Sequence, residues 1–454
     1  MPQKKNNSNN SEMPTNAYFL SLELENIRCF GEKQKINFSD RKGNPKHWTI
    51  ILGDNGTGKT AILQSVLYSY LIARYKRVSG TKLDLRDFAS IEKRKQMSSK
   101  ISSKYSLRFK YTLSQNFLLP KEVKASSVLI KGGLMKGFVP SEYLNFKGYR
   151  IYSMIFAYGA LRKVGETSIS EQSEESPYVT LFNENASLIN PEEWLLQADY
   201  ASKRTSSFQE KRKNRLEKIK EILVKVLPDI DDIRFSEKDL LPSVIPQPIV
   251  EFHTHYGWVE AKDLSLGYRT SMSWMVDFAS RMFDIYPESE NPLAEPAVVL
   301  IDEIDLHLHP KWQRELLDYL SNLFPNTQFI VTTHSPLIVQ SAVARDANIV
   351  VCRREDDHVV IDQSVEAVRN WRADQILTSD LFGLETARPK EIESFLEQRQ
   401  EILSKAKLTK KDEERLAELE DKIGFMPVSE DNPEDDKAMD IIRRAAERLQ
   451  SQAE

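Results

Sequence analysis

Trp48-Thr49-Ile50-Ile51-Leu52-Gly53-Asp54-Asn55-Gly56-Thr57-Gly58-Lys59-Thr60 runs straight on into Ala61-Ile62-Leu63-Gln64-Ser65-Val66-Leu67. The stretch reads as strand, glycine turn and helix. Gly53, Gly56 and Gly58 let the backbone curl so that its N–H groups face inward, at the positive end of the following helix. A lysine after such a turn reaches the β- and γ-phosphates of a nucleotide, and the next hydroxyl residue can hold Mg2+. Lys59 and Thr60 stand at those places, and Asn55 lies in the turn itself. A chance glycine-rich turn would not also carry both apolar flanks. The pattern therefore predicts a nucleoside triphosphate site.

Two later stretches supply what such a site needs. Ala297-Val298-Val299-Leu300-Ile301-Asp302-Glu303 is an apolar run ending in two carboxylates. It predicts a buried parallel strand that delivers Asp302 and Glu303 at its C-terminal end, where α/β folds place ligands. Asp302 would hold Mg2+ and Glu303 would orient or deprotonate the attacking water. Gln328-Phe329-Ile330-Val331-Thr332-Thr333-His334-Ser335-Pro336 predicts a second buried strand, with His334 placed to donate a hydrogen bond to the γ-phosphate. A third element, Asp263-Leu264-Ser265-Leu266-Gly267-Tyr268-Arg269-Thr270, puts Ser265 and Gly267 at a helix start, an anion-binding nest. An amphipathic run from Met272 to Phe283 follows it.

The 454 residues suggest two or three domains. A net charge of −4 gives no global pull toward nucleic acid, so any such binding rests on local patches. Cys29 and Cys352 are the only cysteines, too few and too far apart in sequence for a disulfide framework or a cysteine zinc site. No apolar run is long enough for a membrane span and the N-terminus lacks a signal-type segment, so a cytoplasmic protein with no membrane partner is expected.

Along the chain, residues 1–16 are polar and expected to be a disordered tail. An α/β P-loop head is expected over 17–365, broken by a mixed insert at about 80–260, and a helical partner-binding module over 366–454. Tyr18 to Glu25 alternates like a strand, and the helix after the phosphate loop is expected to reach about Arg77. Within the insert, residues 93–110 are rich in lysine and arginine, and 203–225 predicts an amphipathic helix with Phe208, Leu216, Ile219, Leu223 and Val226 on its apolar face. Gly165 to Pro177 reads as a flexible loop. In the tail, Ile392, Phe395, Leu396, Ile402 and Leu403 mark one helix. Leu416, Leu419 and Ile423 mark a second that Thr409 and Asp412 would cap, and Glu434 to Leu449 a third.

Together these elements resemble the ABC-type ATPases, in which the Asp263–Thr270 segment is the signature motif. The resemblance implies ATP and Mg2+ as ligands, and a head-to-head homodimer or higher homo-oligomer in which Ser265 and Gly267 act on the partner's ATP. Leu266 replaces a usual glycine and Tyr268 a usual glutamine. Asp305 falls at the family's dimer-contacting aspartate, and His307 and His309 suit a structural or interface role better than metal. Asn26-Ile27-Arg28-Cys29-Phe30 is similar to the SMC- and RecF-like branch, where the arginine lies near the nucleotide, which makes Arg28 a candidate. No long heptad arm is present, unlike coiled-coil SMC proteins.

Phe156-Ala157-Tyr158-Gly159-Ala160-Leu161-Arg162, Glu192-Glu193-Trp194-Leu195, Ile301 to Pro310 and Thr333-His334-Ser335-Pro336 resemble ATPases of bacterial anti-phage systems. Within these the resemblance is to the Septu ATPase subunits (PtuA), also found with some retrons. It implies a regulatory subunit paired with a small HNH nuclease that docks on the helical tail from Ala373 onward. Two alternatives remain open at this point. One is a RecF-like DNA-repair ATPase that binds DNA through the basic insert. The other is a self-contained nuclease like the OLD family, although no Glu plus Asp-x-Asp metal set is evident.

Overall fold

Successive residues of the strand read at 297–301 face opposite sides of a sheet, and in the computed structural model each side has its own core. Val299 and Ile301 join Trp48, Ile50, Leu52, Phe156, Tyr158, Phe329 and Val331 on one side. Val298 and Leu300 join Ile51, Ile155, Ala157, Ile330 and Val350 on the other. A strand apolar at every position is therefore buried twice, each Val, Leu or Ile contributing about 1.5–3 kcal/mol of burial.

The structure describes residues 17–24, 28–31, 33–75, 105–113, 123–130, 134–138, 155–165, 177–238, 247–363, 368–369, 371–384, 386–405 and 408–423, with backbone alone for 17, 68–75 and 105–138. The readings made on 1–16, on 93–104, on most of the Gly165–Pro177 loop and on Glu434–Leu449 lie outside these residues.

In chain order the strands are β1 (Ala17–Leu24), β2 (Gln34–Asn37), β3 (Trp48–Gly53), β4 (Tyr105–Leu113), β5 (Val123–Ile130), β6 (Leu134–Phe138), β7 (Ile155–Tyr158), β8 (Lys163–Val164), β9 (Ser187–Leu188), β10 (Asp232–Lys238), β11 (Gln247–Thr254), β12 (Gly257–Glu260), β13 (Ala297–Ile301), β14 (Thr327–Thr332), β15 (Asn348–Glu355) and β16 (His358–Asp362). The helices are α1 (Lys59–Tyr75), α2 (Pro191–Lys203), α3 (Gln209–Val226), α4 (Leu266–Ile285), α5 (Pro310–Leu323), α6 (Pro336–Ala344), α7 (Ala373–Leu377), α8 (Lys390–Leu403) and α9 (Lys410–Ile423).

The central sheet runs β16-β15-β3-β14-β13-β7. Its strands are parallel from β15 to β7, and β16 returns antiparallel at one edge. β7 comes from the stretch read as an insert, so that stretch also completes the central sheet. Separate antiparallel sheets run β2-β1-β4-β5-β6 and β10-β11-β12. Three helices open with proline at their first position and a side-chain cap before it. Asn190 accepts from Glu192 and Glu193 N–H, His309 from Lys311 N–H, and Ser335 from Leu337 and Ile338 N–H.

Three sequence expectations change. The helix expected at 203–225 is one helix that starts six residues later: α2 ends at Lys203, Arg204 is extended, and α3 runs Gln209–Val226 with Leu216, Ile219, Leu223 and Val226 buried. Phe208, placed on the apolar face by its spacing, sits at the helix entry and is exposed. The run from Met272 to Phe283 is buried around most of α4, Ser273, Asp277 and Ser280 included, because α4 lies inside the larger core.

The chain divides into two compact units, Met1–Gly383 and Leu384–Glu454. α7 belongs to the first, with Ile376 and Leu381 in its core. In the second, α8 is followed by α9, where the predicted cap is reciprocal: Thr409 N–H and hydroxyl donate to the Asp412 carboxylate at 3.0 and 2.7 Å, and Asp412 N–H donates back at 3.3 Å.

Candidate nucleotide site

The phosphate loop connects β3 to α1 and turns through three glycines with positive φ, Gly53 at 142°, Gly56 at 82° and Gly58 at 83°. Two of them are also places of close approach. A Cβ on Gly58 would lie 2.4 Å from Cys29 Sγ, and one on Gly53 would lie 2.5 Å from the Cys352 carbonyl oxygen. Thr57 closes the turn by donating its hydroxyl to the Asp54 carbonyl at 2.8 Å. Asn55 and Gly56 are exposed at the tip. Cys29 and Phe30 lie against Gly58, and Arg28, the residue before them, has a left-handed φ of 49°.

Lys59 is buried and folds back on the loop, donating to the Gly53 and Asp54 carbonyls at 2.8 and 2.9 Å. Burial pulls its pKa below the usual lysine value, while Cys352, Asp302, Glu303 and Asp54 act the other way. An anion in the loop would relieve that desolvation.

The carboxylates come from the far end of the chain, as the strand reading expects. Thr60 Oγ1 donates to Asp302 Oδ2 at 2.7 Å, and Thr332 Oγ1 donates to Asp302 Oδ1 at 2.6 Å. Thr332 Oγ1 also accepts from Glu303 N–H at 2.7 Å. One hydroxyl at the end of β14 thus ties together both acidic residues after β13. Mg2+ is bound through one or two carboxylates together with substrate phosphates. Thr60 and Asp302, already in contact beside the loop, fit that requirement. Among the described residues no cluster of three or more His, Cys, Asp or Glu could hold a metal on protein ligands alone. His309 is used as the cap of α5, in keeping with a structural place for the His307/His309 pair.

His334 is exposed two positions past β14, next to Thr333, whose hydroxyl donates to the Asp305 carboxylate. Ser265 is exposed before α4, and its side chain makes no capping bond. Gly267 is buried against the turn that carries His307. The structure therefore brings Gly53, Gly58, Lys59, Thr60, Asp302 and Glu303 together. It sets Gly267 against the turn after the acidic pair.

Sequence reasoning left three participants unassigned. Thr332 was read only as part of a strand. Tyr158 donates to the buried Asp277 Oδ2 at 2.9 Å, and Arg281 donates to Asp277 Oδ1 at 2.9 Å, so α4 is tied to the strand beside β13. Arg162 is buried and donates from Nη2 to the Glu303 carbonyl at 2.8 Å. The only signal for the last two was the stretch Phe156–Arg162, quoted for its resemblance.

A family described as "AAA domain, putative AbiEii toxin, Type IV TA system" matches residues 211–340, and one described as "AAA domain" matches 21–231. The chain is similar to the Septu protein PtuA of Bacillus mycoides, 26% identical over 416 residues, which is 89% of this chain and 50% of that protein. It is also similar to the Retron Vc95 probable ATPase of Vibrio cholerae, 37% identical over 132 residues, 29% of this chain and 24% of that one. The chain thus spans half or less of these relatives' lengths. Among solved structures, an Smc head bound to the C-winged helix domain of ScpA is similar with a TM-score of 0.43 and 19% identity, covering 76% of this chain and 97% of that one.

Proposed function

We propose that the chain is the ATP-binding and ATP-hydrolysing regulatory subunit of an anti-phage defence complex, and that its nucleotide state controls an associated HNH nuclease. The observation that carries the ATPase part is the 2.7 Å bond from Thr60 to Asp302, which joins the phosphate loop to the acidic strand end. In this reading the loop N–H groups and Lys59 hold the phosphates, and Arg28 lies beside them. Thr60 and Asp302 would hold Mg2+, which would supply charge neutralisation at the phosphates. Glu303 takes the proton of the attacking water as its oxygen bonds to the γ-phosphorus and the bond to the β–γ bridging oxygen breaks, releasing ADP. His334 donates a hydrogen bond to the γ-phosphate. Ser265 and Gly267 of one protomer close on the ATP of the other in a homodimer or higher oligomer.

The defence part is supported by the Septu and retron proteins the chain is similar to. The docking part is supported by the second unit, which exposes Leu384, Leu403 and Leu408 at 47%, 49% and 41%. A truncation that tests docking belongs at Leu384, because Ile376 and Leu381 are in the core of the first unit.

Phosphate release by the purified chain, with and without Glu303→Gln, tests the ATPase. Turnover that persists in the variant rejects Glu303 as the base. Co-purification of a tagged chain from phage-challenged cells, with and without residues 384–454, tests the partner. An HNH nuclease recovered only with the full chain is the expected result, and recovery of DNA-repair proteins with no nuclease rejects the defence reading.

A further inference from the structure

Arg162 is placed at a cost that its structural contacts do not explain. The loop after β7 is pinned at Gly159, where a Cβ would lie 2.2 Å from the Thr180 carbonyl oxygen. Gly159 N–H donates to Thr180 Oγ1 at 3.3 Å, and the Thr180 hydroxyl donates to the Ala157 carbonyl at 3.3 Å. The chain then reaches Arg162 with φ at 38°, a left-handed conformation unfavourable for a side chain of this length. The side chain is only 3% exposed.

A guanidinium buried this deeply ordinarily pairs bidentately with a carboxylate. This one does not. Its one hydrogen bond among the described residues runs from Nη2 to the Glu303 carbonyl, and Nε and Nη1 have no partner. Of the nearby carboxylates, both Asp302 oxygens accept from threonines, and Asp305 Oδ1 accepts from Thr333. Burial pushes the Arg162 pKa down to about 10, and Asp302, Asp305 and Glu303 together oppose that fall. For stability alone an apolar side chain of similar volume would serve as well or better. Glu303, which receives the single bond, is itself held left-handed at φ 50°.

We propose that Arg162 is a positioning residue for hydrolysis, clamping the Glu303 backbone so that the Glu303 carboxylate is aimed at the attacking water. This rests on the reading of Glu303 as the base. The guanidinium acts through Glu303 and need not touch the nucleotide, so it separates turnover from binding. A single donor of a buried, planar guanidinium fixed to that carbonyl holds an angle that the freely rotating ammonium of a lysine would not hold.

The test uses the full chain with Arg162→Met, which keeps the volume, Arg162→Lys, and Arg162→Met combined with Glu303→Gln. Readouts are kcat, KM, ATP affinity from a fluorescent nucleotide analogue, and thermal midpoint. The expected result is kcat lowered by about 10²-fold in Arg162→Met, with ATP affinity and KM within about threefold of the parent. Arg162→Lys is expected to recover only part of that loss. In the Glu303→Gln background Arg162→Met should lower turnover no further, because both changes remove the same aimed carboxylate. A merely structural arginine would lose affinity, folding and turnover together, or give additive losses in the double variant, and either outcome overturns the proposal. Normal turnover by Arg162→Met while Glu303→Gln is inactive overturns this proposal alone. Normal turnover by Glu303→Gln overturns the base assignment and this proposal with it.

Discussion

Gly267 and His307 meet backbone to backbone: a Cβ on Gly267 would lie 2.3 Å from the His307 carbonyl oxygen. The start of α4 is therefore seated on the turn that follows Asp302 and Glu303, and neither partner in the contact is a flexible side chain. Gly267→Ala must push the two apart. It should destabilise the chain by about 1–3 kcal/mol, read from denaturant unfolding. It should also lower ATP turnover, because the displaced turn carries Asp305 and follows Glu303. An alanine variant with parental stability and turnover would mean that the two backbones can separate freely.

Thr332 offers a second, sharper test. Its hydroxyl donates to Asp302 and accepts from Glu303 N–H, so removing it disturbs both acidic residues without touching the phosphate loop. Thr332→Val has nearly the same shape but leaves the Glu303 N–H unpaired, at a cost of about 1–3 kcal/mol. Turnover should fall by about tenfold or more and the Mg2+ concentration for half-maximal rate should rise. An unchanged Mg2+ dependence would count against Asp302 as a metal residue.

Lys59 is desolvated, and its pKa is pulled down by that burial. Bound triphosphate should therefore stabilise the parent chain by about 2.7 kcal/mol at a hundredfold excess over the dissociation constant. Lys59→Ala should fold but lose the rise in thermal midpoint on adding ATP and Mg2+. A full nucleotide-dependent rise in the variant would refute the place given to Lys59.

Cys352 gives a pH prediction. Burial raises its pKa from the ordinary 9.0 to about 12, so the folded chain keeps the thiol proton where the unfolded chain has lost it. A folded-state value above the unfolded one contributes stability that is complete below about pH 9 and is lost as pH climbs toward 12. The urea midpoint should fall from pH 9 upward, and Cys352→Ala should flatten part of that slope. Equal slopes in the two proteins would contradict the burial of this thiol.

The phosphate loop, the buried strand at 297–301 and the Thr409–Asp412 cap were legible because each is written in contiguous residues. Backbone conformation, strand alternation and a three-residue cap spacing are local properties. Phe208 was misjudged for the converse reason. Helical periodicity assigns it an apolar face, but whether a helix has begun before Gln209 depends on the rest of the fold.

What the sequence alone determined is therefore the inventory of the site: a loop with Gly53, Gly56, Gly58, Lys59 and Thr60, and an acidic pair at the end of an apolar strand. Tertiary structure decided how those parts are joined. Thr60 meets Asp302 across 242 positions, and Arg162 meets the Glu303 carbonyl across 141. Parallel β-pairing places neighbouring strand ends side by side whatever their separation in the chain. No local pattern marks one buried arginine as the residue that will face the acidic turn.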